Sequence, residues 1–306
     1  MSTPRFAGVD ATCSELSAAG YLPSREIAAA VYLADALEKP LLIEGPAGVG
    51  KTDLAKATAL ALGRPLIRLQ CYEGLDESRA LFEWEYGKQL LYTQLLRPAL
   101  EPLLSNATDL ADAVARLASQ DSALFDPRFL LERPLLRALR SDPPALLLID
   151  EVDRADPEFE ALLLEILSDY QVSIPELGTV RAVHKPRVML TTNGTREMTD
   201  ALRRRCLYLY VDYPEPSREL AILRHHVPEA GPLLLQQIVD FVGRVRALDL
   251  HKTPSISESV DWARTLTLLN ADVLDADFVR QTLTALTKHK ADQDAVSDAL
   301  DTLLSG

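Results

Sequence analysis

Gly45, Pro46, Ala47, Gly48, Val49, Gly50, Lys51 and Thr52 are the residues of this 306-residue chain whose types and spacing point most directly to chemistry. They fit Gly-x-x-x-x-Gly-Lys-Ser/Thr at every fixed position. Glycines let backbone N–H groups close around phosphate oxygens without Cβ clashes. An apolar run, Leu41-Leu42-Ile43, precedes the loop, and a helical pattern over 53–62, closed by Gly63, follows it. A helix starting near Lys51 points its positive end at the same anion. Lys51 is placed to reach the β- and γ-phosphates, and the Thr52 hydroxyl to ligate Mg²⁺. The bland alternative is an ordinary glycine turn between strand and helix.

Asp150 and Glu151 follow the apolar run Ala145-Leu-Leu-Leu-Ile149 directly. A carboxylate pair at the C-terminal end of a buried strand lies at the ligand edge of a parallel sheet. In a phosphate-loop enzyme the Asp holds Mg²⁺ through water, and the Glu orients or deprotonates the attacking water. The competing reading is a helix N-cap with a solvated acid.

The elements that must position these groups follow from periodicity. Ser24 caps a helix over 25–37, with Ile27, Val31, Ala34 and Leu37 as its apolar stripe. Strands are expected at 41–43, 65–71, 145–149, 187–192 and 207–211. The run at 145–149 is continuously apolar, as a strand covered on both faces requires. Helices are expected over 109–118, 134–139, 157–170 and 200–205, and a hairpin over 171–184. Tyr72, Phe82, Trp84, Tyr86 and Tyr92 read as core packing under a helix, with a partner-touching loop or helix as the alternative. From Tyr213 onward strand signals vanish, and helical patterns run over 217–226, 233–247, 257–269 and 275–288. Strands alternating with helices argue for an α/β fold with a parallel sheet flanked by helices. The expected domains are an N-terminal lead-in over 1–23, a nucleotide-binding core over 24–212 and a small all-helical domain over 213–306.

Composition narrows the rest. Apolar residues are 47% and charged residues 25% of the chain, the balance of a soluble globular protein. Cys13, Cys71 and Cys206 show no pairing or metal spacing, so buried thiols in a reducing, cytoplasmic compartment are expected. The five histidines, including His225-His226, show no metal spacing either. The first residues lack a secretory apolar region, and no 18-residue apolar run is long enough to span a membrane. A formal charge of −13 argues against broad nucleic-acid binding.

Residues 45–52, 146–151 and the run Asp150-Glu-Val-Asp-Arg-Ala-Asp-Pro157 together resemble the MoxR group of AAA+ ATPases, over roughly residues 20–265. Gln70-Cys-Tyr-Glu-Gly-Leu-Asp76, Glu83-Trp-Glu-Tyr86 and Ala201-Leu-Arg-Arg-Arg-Cys206 are most similar to the CoxD-type branch. The resemblance implies an AAA+ core with a helical lid, using ATP and Mg²⁺. It implies that Asn193 is the polar sensor that aligns the lytic water, although Asn193-Gly194 is also a good turn pair. Arg205, with Arg204 as runner-up, lines up with the arginine finger that reaches the ATP of a neighbouring subunit. Arg154 matches a retained position, for which the resemblance suggests interface pairing, and the 171–184 hairpin resembles an insertion facing a central pore. The implied assembly is a ring, a hexamer in this group. The implied client is a molybdenum hydroxylase such as carbon monoxide dehydrogenase, with a von Willebrand A domain protein as adaptor.

One departure stands out. The lid of this group supplies a sensor arginine where this chain has Ser257, within Thr253-Pro-Ser-Ile-Ser-Glu-Ser259. Arg244 and Arg264 are possible substitutes, and the sequence selects neither. Two other functions compete: an ATP-switched binding module with little turnover, and a nucleic-acid motor, which the negative charge disfavours. No Asn-Lys-x-Asp run follows the strands, which argues against GTP.

Overall fold

The apolar runs do become strands, and each strand's burial follows its place in the sheet. The computed structural model describes residues 5–92, 94, 95, 127–174 and 177–305. Nine strands form among them: β1 (Leu41–Glu44), β2 (Leu66–Gln70), β3 (Phe82–Trp84), β4 (Leu130–Glu132), β5 (Leu146–Asp150), β6 (Gln171–Ile174), β7 (Gly178–Arg181), β8 (Arg187–Thr192) and β9 (Leu207–Tyr210). Five of them make one parallel sheet in the order β2-β5-β8-β1-β9, flanked by helices and followed by further C-terminal helices. Leu41 pairs with Leu207, and Leu66 with Leu146. The inner strands β5 and β8 are buried at every residue. The outer strands β2 and β9 alternate between buried and more exposed positions. An inner strand is covered on both faces and reads as a continuous apolar run, whereas an outer strand needs one apolar face.

The chain divides into two compact units, Met1–Gly63 with Leu190–Arg196 and Leu207–Gly306, and Arg64–Met189 with Glu197–Cys206. In the first unit, Ser24 caps the helix Arg25–Leu37 by accepting from the Ile27 N–H at 3.3 Å. Ile27, Val31 and Ala34 are buried as expected, but Leu37 is 57% exposed. Leu37 lies in the last turn, where Glu38 at φ 52° ends the helix. Residues assigned to a lead-in fold into a further helix, Val9–Ala18, which buries Leu16 and Thr12. The Thr12 hydroxyl returns its hydrogen bond to the Gly8 carbonyl at 2.9 Å. That polar anchor is why the apolar pattern is weak there.

Four of the C-terminal helices match expectation to within one or two residues at most ends: Pro216–His226, Pro232–Arg246, Ile256–Leu268 and Ala276–Leu286. Two more, Lys290–Asp298 and Leu300–Ser305, complete the group. Phe241 and Trp262 pack at 5.3 Å between ring centres in its core, and the Trp262 Nε1–H donates to Thr282 Oγ1 at 2.7 Å. Burying an indole is favourable when its N–H finds such a partner.

In the second unit, Phe82–Trp84 pairs antiparallel with Leu130–Glu132. Trp84 is buried, but Tyr72, Tyr86 and Tyr92 are each at least 40% exposed, so the aromatic cluster is not a shared core. The hairpin forms as expected, with Gln171 opposite Arg181. The helix expected over 109–118 and part of the hairpin turn lie outside the described residues. Burial, and then the carboxylates of Asp150, Asp153 and Glu151, push the Cys71 thiol up to about 12. Burial does the same to Cys206, against the pull of Arg205. Both thiols therefore stay protonated at neutral pH. Among the described residues no helix is long and apolar enough to cross a membrane.

Candidate functional site

The glycine loop is shaped by contacts that leave no room for side chains. A Cβ on Gly45 would lie 2.0 Å from the Val211 carbonyl oxygen. Gly48 sits at φ +77°, and a Cβ there would lie 2.1 Å from Ser255 Oγ. Only glycine satisfies both the left-handed backbone and the close approach at position 48. Beyond Gly50 the helix Lys51–Leu62 begins, with Thr52 in its first turn.

Lys51 is only 7% exposed. Its ammonium donates to the Gly45 carbonyl at 2.6 Å, the Pro46 carbonyl at 2.7 Å and Asn193 Oδ1 at 2.9 Å. Three oxygens thus meet the three donors of a lysine. Asn193-Gly194 forms a turn, in which the Gly194 N–H donates to Thr192 Oγ1 at 3.0 Å. The same turn delivers the Asn193 amide to Lys51.

A cavity of about 560 Å³ opens beside the loop, within the same unit. Gly48, Gly50, Tyr21, Ser257 and Arg264 are among its walls. Its size suits a nucleotide-sized ligand. Burial raises the Tyr21 phenol above its ordinary range, against the pull of Arg218, so it stays a neutral hydroxyl. The helix Ile256–Leu268 enters against the loop, where Ser257 Oγ donates to the Gly48 carbonyl at 3.4 Å. Arg246 braces that entry from behind. It donates to both Glu219 oxygens at 2.6 and 2.8 Å and to the Pro254 carbonyl at 2.8 Å.

The second unit carries the acidic pair. Asp150, 3% exposed, accepts from Arg68 Nε at 3.0 Å. Glu151 adopts φ 56° and opens the turn Val152–Arg154. Its Oε2 accepts from Gln70 Nε2 at 3.1 Å and lies 3.2 Å from Arg154 Nε. Sequence reasoning missed Arg68 and Gln70, and it missed the contact of Arg154 with Glu151. The signal was available in β2, whose polar positions 68 and 70 share one face, with Gln70 in register with Asp150.

Arg203, Arg204 and Arg205 end the helix Asp200–Arg205, and all three are exposed. Arg205 donates to Ser168 Oγ at 3.0 Å and to the Ala201 carbonyl at 3.1 Å. No group of three or more potential metal-ligating His, Cys, Asp or Glu side chains occurs among the described residues.

The loop and the sheet define a phosphate-loop nucleotide-binding protein. The AAA domain of the dynein-related subfamily matches residues 40–206, more than half of the chain, and the chain belongs to that family: it is an AAA+ ATPase. Among characterised relatives, the gas vesicle ATPase GvpN of Ancylobacter aquaticus is 30% identical over 246 residues, 76% of this chain and 62% of that protein. The chain therefore spans less than two thirds of that relative's length. An uncharacterised protein of Staphylococcus aureus strain USA300 is 26% identical over 75% of this chain and 76% of its own. A Thermotoga maritima RuvB structure aligns with 97% of this chain and 78% of its own at 17% identity, with a TM-score of 0.48, a likeness too loose to carry an argument.

ATP and Mg²⁺ are the ligands of this family. The residues present fit them. The glycine cradle, the buried Lys51 ammonium and the helix N-terminus suit a polyphosphate. A hydroxyl such as that of Thr52 is an oxygen donor of the kind a hard cation takes.

Proposed function

We propose that this chain works as a ring, hexameric and of the MoxR type, in which ATP hydrolysis drives remodelling of a client protein. AAA+ proteins typically form ring oligomers. The observation that carries the reading is the 2.9 Å contact between Lys51 and Asn193, which joins the phosphate loop to the end of β8. In this reading the loop from Gly45 to Thr52 holds the ATP phosphates, and Thr52 and Asp150 hold Mg²⁺. The bound ion offsets charge on the phosphate oxygens. Asn193 aligns a water, and Glu151 takes its proton as oxygen attacks the γ-phosphorus and the bridging bond to ADP breaks. Arg205 reaches the ATP of the neighbouring subunit, with Arg204 as the second candidate. Arg204 is exposed and has no hydrogen bond or ion pair among the described residues, so that alternative stays in play.

The neighbour requirement is testable by mixing. Arg205→Ala and Lys51→Ala are each expected to lack turnover alone. Mixed rings are expected to recover part of it, because an intact loop then meets an intact finger. No recovery at any mixing ratio removes Arg205 from action between subunits.

The finer reading is a maturation chaperone of the CoxD type, acting on a molybdenum hydroxylase through a von Willebrand A domain adaptor. It is supported by the motifs at 70–76, 83–86 and 201–206. The similarity to a gas vesicle ATPase favours a second reading, assembly of a protein shell. Capture from source-cell lysate with an ATP-loaded Glu151→Gln variant separates the two. Recovery of a molybdenum hydroxylase supports the first. Recovery of a shell protein instead overturns it.

A further inference from the structure

Asp150 ends β5 with its carboxylate buried, and a buried charge has to be matched by a partner. Arg68 supplies one. Its Nε donates to Asp150 Oδ2 at 3.0 Å and its Nη2 to the same oxygen at 2.5 Å. Nη2 also donates to Gln70 Oε1 at 2.5 Å. The strand register explains the pair. Gln70 lies beside Asp150 across the parallel strands, and Arg68 stands two residues back, about 7 Å, on the same face of β2. An arginine is long enough to lie along the strand and meet the carboxylate.

The pair is lopsided. The Asp150 side chain is 4% exposed and that of Arg68 is 48% exposed. Both bonds to the carboxylate fall on one oxygen. Arg246 shows what a fixed pair looks like in the same chain. It meets both oxygens of Glu219, donates to the Pro254 carbonyl, lies 4.9 Å from the centre of the Tyr213 ring and is 13% exposed. Arg68 lacks that enclosure. Let go by Asp150, its guanidinium passes into water, which solvates it well. Asp150 has no such exit, and without Arg68 it needs another cation.

The surroundings favour a replacement of higher charge. Asp150, Asp153 and Glu151 all bear on the buried Cys71 thiol, so three carboxylates share one neighbourhood. Carboxylate oxygens are what a hard divalent cation takes as ligands. Two positive charges offset such a cluster better than one guanidinium does.

We infer that Arg68 is the chain's internal substitute for Mg²⁺. It neutralises Asp150 while the metal is away and competes with the metal for that carboxylate, so it sets how readily the site loads. Arg68 is thus a positioning residue that acts through Asp150. The inference rests on the reading of Asp150 as a Mg²⁺ ligand given under Proposed function.

The test is the gain in affinity for fluorescent ADP that Mg²⁺ brings to the full chain, measured in EDTA and in saturating Mg²⁺. Arg68→Met removes the competitor and is expected to enlarge that gain about tenfold, the weight of one charge-assisted hydrogen bond lost from the metal-free state. Arg68→Lys keeps a cation and is expected to stay within about threefold of the parent. Arg68→Gln is a second neutral variant with the same expectation as Arg68→Met, should the latter not fold. Arg140→Gln, which breaks a pair with Glu132 at 2.8 Å, controls for lost charge and is expected to leave the gain unchanged. Melting temperatures supply an independent reading. Arg68→Met is expected to melt below the parent in EDTA with ADP and to regain most of the difference when Mg²⁺ is added. An arginine that only holds the fold lowers both values equally. A gain that is unchanged or smaller in the neutral variants, or a melting deficit that Mg²⁺ leaves in place, overturns the inference. Asp150→Asn isolates the underlying reading. If the parent shows no gain from Mg²⁺, or Asp150→Asn keeps all of it, Asp150 is not the metal ligand. If Asp150→Asn shrinks the gain while the neutral variants at 68 do not enlarge it, only the role of Arg68 falls.

Discussion

Lys51→Ala is expected to lose ATP binding by about a hundredfold to ten-thousandfold. The estimate takes two charge-assisted hydrogen bonds to the phosphates at about 1.5–3 kcal/mol each. The structure adds a second consequence. Lys51 is buried, and it serves the Gly45 and Pro46 carbonyls and Asn193 Oδ1. Removing the ammonium takes a donor from all three. A buried acceptor left unmatched costs about 1–3 kcal/mol, so the loop and the Asn193 turn should loosen as well. Affinity and thermal stability measured on the same preparation separate the effects. A melting temperature a few degrees lower with ATP binding abolished is the expected pair. Lys51→Met, which keeps the length of the side chain without the charge, should lose binding to the same extent. Unchanged affinity in either variant removes the phosphate cradle as the nucleotide site.

The phosphate loop was legible in the sequence because its signal is local. Glycines, a lysine and a threonine at fixed offsets leave few foldings of eight residues. The inner strands were legible for a related reason, since β5 and β8 are buried throughout and read as unbroken apolar runs. What escaped was non-local or polar. The pairing of Phe82–Trp84 with Leu130–Glu132 joins segments far apart in sequence, and no local pattern encodes a partner at that distance. The helix Val9–Ala18 escaped because Thr12 occupies a buried position that an apolar template leaves unmatched. Lys290–Asp298 escaped because it carries few apolar residues beyond Ala291, Ala295 and Val296.

The candidate site divides along the same line. Asp150 and Glu151 were visible as acids after an apolar strand. Their partners were not, because Arg68 and Gln70 look like ordinary polar positions of an alternating strand until β2 is laid in register beside β5. The surroundings of Arg244 and Arg264 were likewise beyond the sequence. Both sit on amphipathic helices, and only the fold shows that one is tied to the Leu303 carbonyl while the other faces the cavity.

Glu151→Gln is expected to keep ATP affinity within a few-fold and to lower turnover by about a hundredfold to ten-thousandfold, the range of a positioned general base. The substitution preserves shape and removes proton-accepting capacity. Its neighbourhood makes it a clean probe. Glu151 Oε2 meets Gln70 Nε2 at 3.1 Å and Arg154 Nε at 3.2 Å. A glutamine side chain can still accept from both through its carbonyl oxygen, so the turn at φ 56° has little reason to move. The weakened Arg154 contact is a half-exposed pair, small in energy beside the catalytic effect. Arg154→Ala therefore serves as the comparison, since it breaks the same pair and leaves the carboxylate in place. Turnover that falls in Glu151→Gln but stays near the parent in Arg154→Ala assigns the loss to the base. Equal losses in both variants would mean that Glu151 acts by holding Arg154, and undiminished hydrolysis in Glu151→Gln would move the proton acceptor elsewhere.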